Sequence, residues 1–375
     1  MVKVVRDQFL LRPDVVYLNH GSFGACPKPV FAAYQNWQLE LERQPVEFLF
    51  RRGDALLDNA RAALARYVGV PSADDLIFVP NATTGVNIVA RSLPLQPGDE
   101  VLGTNHEYGA CDYTWEFACA KMGARYVRAD LPLPLTTPED FVEQFWSAVT
   151  PQTRVIFISH ITSPTGLIFP IAEICRRARA VGILTLVDGA HAPGQTAVDI
   201  AALDPDFYTG NCHKWMCAPK GSAFLYARRE QQLMLEPMIV SWGWAPTSTF
   251  VQRHQWQGTR DIAAFVTVPT AIEFQAAHDW DRVRAECHAL ACETRDRLLG
   301  LPGVLPLTSR DDAWLGQMCA VMLPPCDAAA VKTRLYDDHC VEVPITEWQG
   351  RAVLRVSFQA YNTRADADAL LNALT

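Results

Sequence analysis

The sequence predicts an α/β protein: a large domain built on a mainly parallel seven-stranded sheet, with a smaller α+β domain beside it. Three observations carry this. Strand-like and helix-like pieces alternate through the middle of the chain, the signature of a parallel sheet with crossover helices. Several of the strand-like pieces are apolar without interruption, as in Val155-Ile156-Phe157-Ile158, which suits strands buried on both faces. From about Asp261 the texture changes to long helical stretches with few strands between them.

Taken in order, the strand-like runs are Asp75 to Pro80, Glu100 to Thr104, Ala124 to Asp130, Arg154 to His160, Ile183 to Asp188, Asp206 to Gly210 and Ala223 to Ala227. Helices are expected between them, for instance Pro138 to Val149, with Thr137 as N-cap and proline at the first position, and Ile171 to Val181. Beyond Asp261 one long helix is expected to reach about Leu299 and to stop at Gly300 and Pro302. Strands are expected at Met318 to Leu323 and Ala352 to Ser357, and helices at Asp327 to His339 and Arg364 to Leu374. These pieces divide the chain into a large domain over residues 17–262 and a small one over residues 263–375, onto which the segment 1–16 packs.

The 375 residues suffice for two domains with a shared core, and 49% hydrophobic against 20% charged residues marks an ordinary globular chain. The net charge of −8 argues against nucleic acid or an anionic membrane as partner. Eleven cysteines, scattered without a CxxC, read as reduced thiols of a cytoplasmic protein. Cys212 and Cys217 flank Lys214 and read as small buried hydrophobes. The first residues carry no signal-peptide pattern, and no apolar stretch is long enough for a bilayer. HExxH, GxSxG, GxGxxG and P-loop motifs are all absent, and the histidines lack metal-ligand spacing, so no metal is expected.

Chemistry concentrates at two strand ends. Val187-Asp188-Gly189-Ala190-His191 closes one run, and Tyr208-Thr209-Gly210-Asn211-Cys212-His213-Lys214 follows the next. A carboxylate and a lysine so placed suit pyridoxal 5'-phosphate, whose aldehyde a lysine holds as a Schiff base and whose pyridine nitrogen a carboxylate keeps protonated. Ligands of open α/β sheets bind beyond the carboxyl ends of the strands, so the remaining parts are sought there. Asn81-Ala82-Thr83-Thr84-Gly85 opens a helix whose N-terminal amides suit a phosphate, although plain capping accounts for the same residues. Tyr108, in Asn105-His106-Glu107-Tyr108, offers a ring that could stack on a planar cofactor or simply fill a loop. Ser163 lies in the turn His160 to Gly166, and could reach a cofactor oxygen or only shape that turn. His191 and His213 stand beside the two key residues.

These stretches, with Tyr17 to Gly24, Gln257-Gly258-Thr259-Arg260-Asp261 and Arg355-Val356-Ser357-Phe358, occur in the order found in the class V aminotransferase branch of the fold-type I pyridoxal phosphate enzymes. The chain resembles in particular the isopenicillin N epimerase-like group of that branch. The resemblance implies the fold-type I architecture, with Lys214 as the Schiff-base lysine, Asp188 at the pyridine nitrogen and His191 near the ring hydroxyl. It places Thr83, Thr84 and His213 on the phosphate with Asn211 close by, Ser163 and Tyr108 against the ring, and Arg355 on the substrate α-carboxylate with Asn19 and Gly21 beside it. Thr259 would reach the phosphate of the second subunit of a homodimer. Such enzymes deprotonate the α-carbon of a small amino-acid substrate. Epimerisation, β-elimination with C–S lysis, cyclisation and transamination then remain open, and a regulatory domain binding the same cofactor is the non-enzyme alternative. The cysteine-bearing loop of the cysteine desulfurases is not recognisable. Arg51 and Arg52, after Phe48-Leu49-Phe50, read as a solvated loop or as ligands of a distal acidic group.

Overall fold

A computed structural model describes residues 5–309 and 311–375. The strands, in chain order, are β1 (Val16–Tyr17), β2 (Leu76–Val79), β3 (Glu100–Thr104), β4 (Arg125–Ala129), β5 (Thr153–Ser159), β6 (Leu184–Asp188), β7 (Phe207–Asn211), β8 (Ala223–Ala227), β9 (Leu305–Pro306), β10 (Met318–Met322), β11 (Val341–Glu342), β12 (Ile345–Trp348) and β13 (Arg351–Ser357). All seven runs expected in the large domain form strands. They make one sheet in the order β2-β8-β7-β6-β5-β3-β4. Only β8 runs against its neighbours, so six strands point the same way. β2, β3, β7 and most of β5, β6 and β8 are buried, as helices cover both faces of the sheet. One apolar cluster packs on each side: Ile156, Ile158, Val187 and Phe224 on one, Val155, Phe157, Leu186 and Leu225 on the other. The period-two split of neighbouring residues between two cores is what a doubly covered strand requires.

Thr137 caps the helix Pro138–Trp146 by accepting the Asp140 amide, with proline in the first turn as expected. The helix Ile171–Ala180 also lies where the spacing placed it. The single long helix expected over 261–299 is corrected to three: Ala263–Val266, Val268–Ala277 and Trp280–Leu298. Pro269 supplies no amide and opens the second helix, and Asp279, at φ 51°, turns the chain into the third. Two helices that the sequence reading left unplaced, Lys28–Arg43 and Gly53–Tyr67, carry the chain from the N-terminal segment to β2. Arg51 and Arg52 lie not in a loop but in a π-helical turn, Glu47–Arg52, where Arg52 pairs with Glu40 at 2.9 Å.

A second sheet, β12-β13-β10-β9, is antiparallel throughout. The N-terminal segment joins this end of the molecule: β1 pairs in parallel with β11, Asn19 bridges to Ser357, and Phe9 meets Tyr361 edge-on at 4.9 Å. Residues 1–4 of that segment lie outside the described residues. This docking brings the short helix His20–Phe23 to the carboxyl edge of the seven-stranded sheet. Gly24 follows at φ 70°, where a Cβ would stand 2.1 Å from the His213 carbonyl and 2.9 Å from Lys214 Cα. Only glycine lets the two segments approach this closely.

Candidate active site

Five parallel strands end at one cavity of ≈ 250 Å³. The segment after β2 contributes Asn81 and Thr83, that after β3 Tyr108, β5 and its turn Ser159 and Ser163, β6 and its turn Asp188 and His191, and β7 and its turn Asn211, His213 and Lys214. Ser22 and Phe23 close the wall from the helix His20–Phe23.

Helix Ala82–Ser92 starts at this cavity. Asn81 caps it, its Oδ1 accepting the Thr84 amide at 2.9 Å and the Thr84 hydroxyl at 3.0 Å. Thr84 therefore braces the turn, while Thr83 faces the cavity. Asn211 ties β7 to the same helix by accepting the Ala82 amide at 2.9 Å. Gly85 lets the helix lie on the sheet, for a Cβ there would sit 2.3 Å from Thr209 Oγ1. The result is a helix N-terminus held open to an anion, with the His213 ring oriented through Nδ1 on the Ser222 carbonyl at 3.0 Å.

Asp188 is 4% exposed. It accepts the Ala190 amide at 2.9 Å and the Cys111 thiol at 3.7 Å, and burial raises its pKa. Lys214 Nζ lies 2.9 Å from His191 Nε2. The Trp215 indole N–H, which can only donate, points at His191 Nδ1 at 3.3 Å. The neutral imidazole thus carries its proton on Nε2 and can donate it to Lys214 Nζ when that amine is uncharged. Burial, reinforced by the Arg355 cation, pushes Lys214 down to about 8, and burial with the Lys214 charge lowers His191 well below the imidazole range. Arg355 is 6% exposed, donates Nη1–H to the Ser163 carbonyl, and leaves Nε without a partner. Burial pulls it down to about 10. Among the described residues neither Asp188 nor Arg355 has an ion-pair partner. A buried acid on the cavity wall and a buried cation behind it, both left uncompensated, are costly unless a ligand supplies the counter-charges.

The donor set fits pyridoxal 5'-phosphate: a carboxylate for the ring nitrogen, an amine of lowered pKa for the aldehyde and an open helix N-terminus for the phosphate. A family model, aminotransferase class V, matches residues 16–370. The chain belongs to the aminotransferase class V family. Pyridoxal 5'-phosphate is its cofactor, and the fold is fold-type I. Isopenicillin N epimerase of Amycolatopsis lactamdurans is 38% identical over 98% of this chain and 96% of its own length. A probable chloroplastic L-cysteine desulfhydrase of Arabidopsis thaliana is 28% identical over 96% of this chain and 82% of its own. In fold the chain is similar to a cystine C–S lyase solved with its product cysteine persulfide, with a TM-score of 0.86 at 22% identity, covering 96% of this chain and 97% of that one.

Of the residues singled out in the sequence, Thr83, Tyr108, Ser163, Asp188, His191, Asn211, His213 and Lys214 meet at the cavity. Arg355 stands behind Ser163 and Ser22. Asn19 does not line the cavity and instead donates to Glu342 at 3.0 Å. Gly21 lies against Arg355, since a Cβ there would come 3.5 Å from Nη2. Thr259 is exposed and outside this cavity. Tyr108, not His106, faces the site: His106 is fully buried between Trp348 and Phe169 and bonded to Thr165. The sequence reading missed Ser22, Phe23 and Ser159 on the wall, and Glu107 behind it. Glu107 takes the Thr104 hydroxyl at 2.8 Å and the Ser159 hydroxyl, and burial pushes it up to about 8. Cys212 and Cys217 are fully buried, with burial raising both thiols, as expected of packing residues.

Proposed function

We propose that this chain removes the α-proton of an amino acid held by its carboxylate, and that the outcome is inversion at that carbon. The observation that carries the reading is a set of buried groups with no ion-pair partner among the described residues: Asp188 and Lys214 on the cavity wall and the Arg355 guanidinium directly behind it. Pyridoxal 5'-phosphate supplies an aldehyde that condenses with amines and a ring that accepts the electron pair left at the α-carbon. Asp188 holds the ring nitrogen protonated. Lys214 is the base, its lone pair steadied by His191 Nε2–H. Thr83, His213 and Asn211 hold the phosphate, Thr84 acting through the Asn81 cap, and Ser163 fixes the ring edge. Arg355 grips the carboxylate with a two-pronged guanidinium. Tyr108, half-exposed at the mouth, is the second proton donor that inversion needs. The high identity to an isopenicillin N epimerase supports this outcome.

C–S lysis by β-elimination is the second reading. It needs only Lys214 and a leaving group, and the desulfhydrase relative supports it. We further propose a homodimer, in which Thr259 of each copy completes the phosphate site of the other. The exposure of Trp242 (91%) and Phe50 (72%), which line one groove, supports a partner covering that apolar surface. Eleven free thiols suit the cytoplasm.

A screen of L-amino acids and cysteine derivatives in D₂O tests the readings together, following α-deuteration, optical inversion, and keto-acid and sulfide release. Inversion with α-deuteration is expected, and Lys214→Ala should abolish both. Sulfide with keto acid would assign the lyase reading, and amino-group transfer without inversion the aminotransferase one. No α-exchange with any substrate would overturn the proposal.

A further inference from the structure

The Arg355 guanidinium is buried and charged, yet among the described residues no carboxylate touches it. Nη1–H donates to the Ser163 carbonyl, and on the other side Nη2 opens a row of hydrogen bonds that reaches a carboxylate only at its far end. Arg355 Nη2–H donates to Ser22 Oγ at 3.3 Å. Ser22 Oγ–H donates in turn to Asn19 Oδ1. Asn19 Nδ2–H donates to Glu342 Oε1 at 3.0 Å. The chain ends on a carboxylate three hydrogen bonds away from the cation.

We propose that Glu342, Asn19 and Ser22 are a positioning relay for Arg355, one that fixes the plane of the guanidinium while leaving its charge free for the substrate carboxylate. This rests on the reading of Arg355 as the carboxylate clamp. The donor directions support it. Asn19 must accept from Ser22 and donate to Glu342 at once, which an amide can do and an ionised aspartate cannot. Ser22, having given its only proton to Asn19, presents a lone pair to Arg355. Polarisation by the Glu342 charge strengthens each acceptor along the row. A carboxylate in direct contact with Arg355 would compete with the substrate, whereas one set back along the relay orients the guanidinium without neutralising it.

The fold builds the relay from two distant parts of the chain. β1 pairs with β11 in register Tyr17↔Glu342, and the Leu18 amide donates to the Glu342 carbonyl at 2.9 Å. Asn19 is thereby delivered beside the Glu342 side chain, and Ser22 follows one helical turn later, on the cavity wall. Gly21 completes the geometry: a Cβ there would lie 2.9 Å from both Met318 Sδ and Ser357 Oγ, so only glycine lets this turn sit so close to β10 and β13. Docking of the N-terminal segment is thus tied to the orientation of the clamp.

The test compares holoenzyme variants by steady-state kinetics, on the substrate that the D₂O screen finds, and by calorimetric titration with propionate, a carboxylate that cannot react. Arg355→Lys is the control. Ser22→Ala is expected to raise KM and to weaken propionate about fivefold, the effect of one lost hydrogen bond, with the loss falling on KM rather than kcat. Ser22→Thr, which keeps the hydroxyl, should restore both. Asn19→Asp sets two carboxylates against each other and should cost more than Ser22→Ala; should that variant fail to fold, the alanine and threonine pair still decides. A weakening by Arg355→Lys with none by Ser22→Ala would overturn the relay and leave the clamp standing. No effect of Arg355→Lys on either readout would overturn the clamp, and the relay with it.

Discussion

The pKa of Lys214 can be read from the rate at which apo-protein takes up its cofactor. Only the neutral amine attacks an aldehyde, so the rate of covalent attachment follows the fraction of Lys214 that is unprotonated. Burial is the main cause that brings this lysine from 10.5 to about 8, the Arg355 charge adds to it, and Asp188 opposes it. With a midpoint near 8, the neutral fraction is about one in eleven at pH 7 and about ten in eleven at pH 9. The attachment rate should therefore rise about tenfold across those two units and level off above pH 9. A lysine of ordinary pKa would gain about a hundredfold over the same interval and show no plateau. The phosphate, with a second pKa near 6, stays ionised throughout and does not distort the profile. The assay is stopped-flow mixing of apo-protein with pyridoxal 5'-phosphate, following the absorbance change as the aldehyde is consumed. Arg355→Met should move the midpoint up, because a like charge is removed, and Asp188→Asn should move it down. A wild-type profile still climbing at pH 10 would refute the neutral-lysine argument, along with the proton assignment on His191.

Further outcomes follow from the same geometry. Asp188→Asn should slow α-proton exchange by about two orders of magnitude or more while leaving the apo-protein's melting temperature unchanged or raised, because an uncompensated buried carboxylate is removed; an unaffected exchange rate would make Asp188 structural only. Gly85→Ala should destabilise by about 1–3 kcal/mol and loosen cofactor retention, as its Cβ would press on Thr209 and lift the helix start from the sheet; calorimetry and cofactor dissociation read the two effects. Thr259→Ala should weaken cofactor retention only in the dimer, measured by sedimentation at the wavelength of the bound cofactor; equal retention in monomer and dimer would count against a shared site.

Most of the large sheet was legible because its strands are buried on both faces. Runs such as Val155 to Ile158 have no competing polar pattern, and all seven emerged within a few residues of their bounds. Elements defined by pairing rather than by their own residues were not legible. β1, β9 and β11 are two residues long, and only their partners make them strands. The stretch 261–299 misled for the opposite reason: its helical composition continues through Pro269 and Asp279, and the turns there cost little in pattern. Helices Lys28–Arg43 and Gly53–Tyr67 went unplaced: the first has Val30 as its one buried residue, whereas the second buries Leu57, Ala60 and Leu64 at helical spacing, a stripe that was there to be read.

The site was legible where it is local in sequence. Each of its five strand ends puts a polar residue just after an apolar run, and the topology of a parallel sheet gathers such ends at one edge without further information. What local sequence could not show is the part that arrives from elsewhere. Ser22 and Phe23 reach the cavity only because β1 docks on β11, a pairing between positions more than three hundred residues apart in the chain. Asn19 was expected beside the substrate, yet it does not line the cavity, and its hydrogen bond turns it towards Glu342. Glu107 lay within a stretch already singled out, yet its neighbour Tyr108 drew the attention, since nothing in Asn105 to Tyr108 signals that the carboxyl is the buried member and the ring the half-exposed one. The residues that touch the cofactor's surroundings are thus written along the chain. Those that aim them are fixed by contacts between its two ends, and it is there that substitutions should alter substrate binding without touching the lysine.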